Sequence, residues 1–177
     1  MTEDEFFNKS TQATSFLIAM ANEVIIKESP VSFNTIGIRI REACGITKGG
    51  AKVNERIDYI IRATRVKPAP EGGTLFFWRK GDDPMAYDFY RYPADPEDVR
   101  QPQDIHPAEA ACAMLEAIVA EYGMPVESAY VAGARKLGLT RMTPAVKELM
   151  EHGMDILQNE NAVTKDSSGM LQGNNVV

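Results

Sequence analysis

The residues best placed to do chemistry are cations around a short glycine-rich connection. Lys48, Lys52 and Arg56, with Tyr59, lie off the apolar stripe made by Val53, Ile57, Ile60 and Ile61. A helix that buries the stripe turns the cations to solvent. In helix-turn-helix proteins the corresponding helix enters the DNA major groove, and its first turns meet base edges. Gly49 and Gly50 at its start let a phosphate approach the free N–H groups of the first turn. Lys67 and Arg79 fall on a following ribbon and are candidates for backbone contacts, while Arg141 and Lys147, with Arg135 and Lys136, form a smaller cluster. Acids dilute both sets: Glu55 and Asp58 in the first, Glu148 and Glu151 in the second. Each cation taken singly is also accounted for as a solvated surface charge.

Other chemistries find less support. Gly45 to Lys52 approaches a phosphate loop, but the lysine comes one place late, no Ser or Thr follows it, and a helix rather than a strand precedes it. His106 and His152 have no Cys or His at ligand spacing, and His152 is explained by a helix C-terminal dipole. Asp82-Asp83 and the stretch from Asp95 to Asp98 sit among prolines and read as solvated loop. No nucleophile, base and orienting group stand out. The expectation is a non-enzyme without metal or cofactor.

The elements that must position these residues follow from periodicity and punctuation. A first helix is expected from about Thr14 to Lys27, stopped by Ser29-Pro30. Residues Pro30 to Phe33 are extended, and Asn34 is read as the N-cap of a second helix through about Cys44, ended by Gly45. A third helix follows Gly50 and runs to about Thr64. Val66 to Pro70, broken by prolines, is expected at a sheet edge, with a turn at Glu71-Gly72-Gly73 and a second strand from Thr74 to Trp78. That order is the order of a winged helix-turn-helix. Residues 81–104 are too rich in proline for a helix and form either a linker or a draped segment. Tyr87, Phe89, Tyr90 and Tyr92 favour draping.

A second such unit opens at Pro107, with Ala111, Met114, Leu115, Ile118 and Tyr122 on the buried face of its first helix. Its second helix spans about Glu127 to Leu137. Its third is capped by Thr143 and ends by Gly153, and a weaker wing turned at Asp166 to Gly169 lies between Met154 and Leu171. Pro30-Val31 recurs as Pro125-Val126, and Gly45-Ile46-Thr47-Lys48 as Gly138-Leu139-Thr140-Arg141. Duplication is the preferred account. The fold class is therefore mainly α with short β-ribbons: tandem winged-helix units over residues 1–80 and 105–177, joined by 81–104.

Charge is uneven. The chain carries −6 overall, yet residues 30–80 hold ten bases against four acids and residues 81–133 two bases against eleven acids. The basic block is either an anion-binding face or one side of an internal neutralising contact. Cys44 and Cys112 fall in apolar helical patterns and read as buried free thiols, which fits a reducing cytoplasm. The acidic N-terminus does not resemble a signal peptide, and no apolar run has the length of a membrane span.

Pro30-Val31, the stretch Arg39 to Gly45 and Gly45-Ile46-Thr47-Lys48-Gly49-Gly50-Ala51-Lys52-Val53 resemble an uncharacterised domain at the C-terminal end of large bacterial superfamily I helicase-related proteins. Arg100 with Pro102, Ile105-His106-Pro107-Ala108-Glu109 and Ala132 to Arg141 extend the resemblance, to about residues 22–157. It implies a DNA-transaction setting, with helicase and nuclease domains of the same or a neighbouring protein as partners. It supplies no catalytic residue. The function expected is a non-catalytic accessory domain that binds DNA through its first unit. The alternative is a protein-interaction or homodimerisation module that touches no nucleic acid.

Overall fold

A computed structural model of the chain describes residues 2–95 and 98–174, and its contacts divide after Asp82 into two units. In the first, α1 (Glu3–Phe7) opens with a capping box in which Thr2 and Glu5 exchange hydrogen bonds. Ser10 caps α2 (Thr11–Glu28), which therefore starts three residues before the expected Thr14. A two-residue strand β1 (Val31–Ser32) leads into α3 (Phe33–Ala43). The cap of α3 is Ser32, not Asn34: its hydroxyl accepts the Thr35 N–H at 3.0 Å while fully buried. Then come α4 (Ala51–Ala63), β2 (Ala69–Glu71) and β3 (Thr74–Phe77). The sheet is antiparallel in the order β1-β3-β2, with Val31 opposite Phe77 and Ala69 opposite Phe76. The proline-bearing strand is thus at an edge, where a missing N–H costs no ladder bond.

Leu17, Ile25, Ile36, Ile40, Ile57 and Ile60 are fully or almost fully buried between α2, α3 and α4. Burial of each such side chain is worth about 1.5–3 kcal/mol, enough to hold short helices that would be marginal alone.

The second unit runs through α5 (Pro107–Ala120), β4 (Met124–Pro125), α6 (Val126–Lys136), α7 (Pro144–Asn159), β5 (Val163–Lys165) and β6 (Met170–Gly173). Its sheet order, β4-β6-β5, places the middle strand last in sequence, as in the first unit. Helix α7 does not end by Gly153. Gly153 lies inside it, because a Cβ there would stand 2.9 Å from the Ala111 backbone nitrogen on α5. Gly133 does the same on α6, facing Met114. The glycines are where helices touch, and helix-ending chemistry was the wrong reading of Gly153. His152 is consequently mid-helix and has no terminal dipole to answer. Tyr122 is not on the buried face of α5: it follows the helix with φ of +55° and is almost wholly exposed.

Residues 83–95 and 98–104 drape over the rest of the second unit. Tyr90 and Val99 pack against its core, and two short 3-10 turns, Pro84–Ala86 and Pro102–Asp104, shape the path. Pro96 and Glu97 lie outside the described residues. The segment is pinned by Glu109, fully buried in the first turn of α5. Its carboxylate accepts from the Arg91 side chain at 2.6 Å and the Arg100 side chain at 2.7 and 2.9 Å, and from the Arg91 backbone N–H at 3.1 Å. Burial alone raises a carboxyl's pKa. Here the hydrogen bonds and charges of Arg91 and Arg100 outweigh it, and Glu109 stays below its ordinary value.

Candidate nucleic-acid interface

The connection from α3 to α4 is built by one glycine and one anchor. Gly45 takes φ of +68°, its N–H donates to the Glu42 carbonyl, and the Ile46 N–H donates to the Arg41 carbonyl at 2.9 Å. This pairing closes a helix C-terminus and needs the left-handed conformation that glycine enters without a Cβ clash. Ile46 is buried, so the chain is tied down immediately beyond the turn. Thr47 to Gly50 then lie exposed up to the start of α4.

Val53, Ile57, Ile60 and Ile61 face inward on α4, and Lys52 and Tyr59 face solvent, as does Lys48 before the helix. Among the described residues Lys48, Lys52 and Lys67 take part in no ion pair. Gly50 caps α4 without a side-chain bond, which leaves first-turn N–H groups without a side-chain acceptor. A hollow of about 460 Å³ lies beside this end, lined by Asn34, Arg41, Gly49 and Asn54. A Cβ on Gly49 would stand 3.2 Å from Arg41 Nη1, so the absence of a side chain lets the guanidinium sit against the loop. Arg41 lies off the buried face that Ile36 and Ile40 make on α3. Only the fold of the loop back over α3 brings it here.

Arg56 must be corrected. It does not face solvent: it is 9% exposed and donates to the Phe6 carbonyl at 3.3 Å, the Asn8 carbonyl at 3.0 Å and the Thr14 hydroxyl at 2.9 Å. The guanidinium ties the α1–α2 junction to α4, and its carbon lies 5.8 Å from the centre of the Tyr59 ring. Position 56 flanks the apolar stripe, and α1 converts that flank into interior. Arg79 is exposed but held by Asp82 at 2.9 Å. That carboxylate also accepts from Ser29 at 2.7 Å, so Arg79 serves the base of the ribbon.

In the second unit the same backbone motif recurs. Gly138 takes φ of +80°, and the Leu139 N–H donates to the Ala134 carbonyl at 2.9 Å. The surroundings differ. Nothing comes within 4 Å of a Cβ placed on Gly45, whereas one on Gly138 would meet Pro93 Cγ at 2.5 Å and Val99 Cγ2 at 3.6 Å. The draped segment occupies the turn. Arg141 is exposed at the rim of a cleft that also includes Tyr92, Pro93 and Arg100. Lys147 pairs with Glu151 one helical turn on, at 3.6 Å.

The family model described as a protein of unknown function (DUF3320) matches residues 4–55. The matched stretch covers α1, α2, β1, α3, the Gly45–Gly50 connection and the first residues of α4, and is shorter than the 22–157 over which the resemblance was traced. To that extent the chain is similar to an uncharacterised domain. No curated protein and no solved structure matches the chain. Among the described residues, no helix is long and apolar enough to cross a membrane.

Proposed function

We propose that the protein is a non-catalytic, cytoplasmic accessory module that binds DNA through its first unit and works beside helicase and nuclease domains of the same or a neighbouring polypeptide. The two units are read as duplicated winged helices that have diverged in use. The observation that carries this reading is the contrast between the two turns. The turn at Gly45 is open and carries Lys48 and Lys52, exposed and outside any ion pair among the described residues, with Arg41 at its flank. The equivalent turn at Gly138 is covered by Pro93. On this reading α4 approaches the duplex by its N-terminal end. A phosphate meets the Gly49–Gly50 backbone and Arg41, and Lys67 touches the neighbouring strand. Arg56 and Arg79 leave the contact set, and Arg141 and Lys147 contribute little.

Fluorescence anisotropy with a labelled duplex across a salt series tests it. About four phosphate contacts give a log–log salt slope near −3.6. Lys48→Glu with Lys52→Glu should weaken binding about tenfold or more and lower the slope by about two, whereas Arg141→Glu with Lys147→Glu should change neither. Unchanged affinity in the first double variant would sink the proposal. The second reading, a protein-interaction or homodimerisation module, is favoured by the exposure of Met85, Tyr92 and Tyr122 in the second unit. It predicts a dimer in sedimentation and no salt-dependent DNA signal.

A further inference from the structure

The second unit holds a cleft that the DNA reading does not use. It has a volume of about 740 Å³ and lies between residues 84–90, one face of α5 and the C-terminal end of α7. Its wall is mostly apolar: Met85, Phe89, Leu115, Val119 and Ile156. Volume and lining are those of a small-ligand pocket, in which apolar area supplies affinity and a few polar groups fix orientation.

The charged residues that line it share one sign. Asp88, Glu116 and Glu160 stand around the cleft. Glu116 is engaged by Lys136 at 2.6 Å. Asp88 and Glu160 are exposed and take part in no ion pair among the described residues. Their field reaches inward. Cys112, within the cleft, has its thiol pushed up to about 11, first by burial and then by Asp88, Glu109 and Glu160. Aromatic rings line the same place. Tyr87 and Phe89 have centroids 4.5 Å apart, and Lys136 already places its ammonium 5.8 Å from the centre of the Tyr90 ring. Carboxylates and ring faces both attract a cation and both repel an anion.

We propose that this cleft binds a small organic cation, an ammonium carried on an aromatic or branched apolar body, with the body against Leu115 and Ile156 and the charge between Asp88, Glu160 and the ring of Phe89. A partner protein's basic segment would share only the charge. The half-open apolar cleft fits a compact molecule of about ten to fifteen heavy atoms. The proposal is independent of DNA binding.

Benzyltrimethylammonium is a suitable probe, with benzenesulfonate as an anion of similar body. The full chain, carrying 13C-methyl methionine, is titrated with each while the Met85 methyl signal is followed. The cation should saturate with a Kd of about 1 mM or below, and the anion should bind at least about tenfold more weakly. Asp88→Asn with Glu160→Gln alters two exposed side chains and should leave the melting curve unchanged. It should lower the cation to anion ratio at least about threefold, the Phe89 ring retaining the rest. Shifts that grow linearly without saturating, equal binding of the two probes, or a preference left undiminished by the double variant would each overturn the proposal.

Discussion

Replacing Glu109 by Gln isolates what holds the draped segment. The carboxylate is wholly inaccessible and receives at least five hydrogen bonds from Arg91 and Arg100, whose own side chains are 21% and 12% exposed. The amide keeps the shape but removes the negative charge that both guanidinium groups engage, and its NH2 would face donors. Breaking a buried pair in this way costs about 3–5 kcal/mol, because the remaining charge stays desolvated. For a unit of this size that is a fall in Tm of about 15 °C or more. Differential scanning calorimetry measures it, and hydrogen exchange locates it: amides of residues 87–92 should lose protection before those of α5 and α7. Removing all three charges together, as Glu109→Leu, Arg91→Met and Arg100→Met, should recover much of the loss, since apolar groups of similar volume replace a costly buried ion cluster. A fall below about 1 kcal/mol, within the range of exposed pairs, would refute the clamp. So would a triple variant worse than the single one.

Two further perturbations probe the same unit. His106 caps α5 by accepting the Ala108 N–H at Nδ1, 3.1 Å, and burial holds its pKa down to about 4. Its stabilising effect is therefore complete above the unfolded value near 6.5. It is lost as pH falls from there through about 4, a change of about 3 kcal/mol in all. Melting curves at pH 7, 5 and 4 should show that decline, and His106→Asn, which keeps a cap without titrating, should flatten it. Glu109 adds its own loss only below the ordinary carboxylate range. Gly153→Ala should destabilise by about 1–3 kcal/mol in urea unfolding, as its methyl group meets the α5 backbone. Stabilisation, the result intrinsic helix preference alone would give, would show that α5 and α7 do not cross as closely as described.

Stripes and punctuation were legible in the sequence: the first, second and third helices of each unit, the edge position of the proline-bearing strand and the turn at Asp166 to Gly169 all rest on local signals. Errors came where a residue type has two uses. Glycine ends helices and also lets them touch, and Gly153 has no local mark to separate the cases. Ser32 and Asn34 are both good caps, and Ser32 is selected because it is also the end of β1. Helix α1 is too short to show a stripe, but Thr2 and Glu5 stand at capping-box spacing and were a usable signal. Glu109 stands in the first turn of α5, where an acid answers the helix dipole whatever else it does. Nothing nearby in sequence declares the two arginines, nine and eighteen residues upstream, that make it a buried anchor.

The candidate site shows the same limit from the other side. Periodicity tells which residues leave a helix's apolar stripe, but not whether another part of the chain will cover them. Lys52 and Arg56 are one turn apart on α4, and the spacing treats them alike. Arg56 is enclosed because Phe6 and Asn8, about fifty residues earlier, bring carbonyls to it. Gly45 and Gly138 end their helices with the same pair of hydrogen bonds, yet only Gly138 is covered, by a proline forty-five residues upstream. The shared turn geometry fixes where a surface would be, and segments distant in sequence fix whether it is available. On the proposed DNA-binding reading, the difference between the two turns comes from Pro93 and Val99, which cover Gly138 and carry none of the turn's own motif.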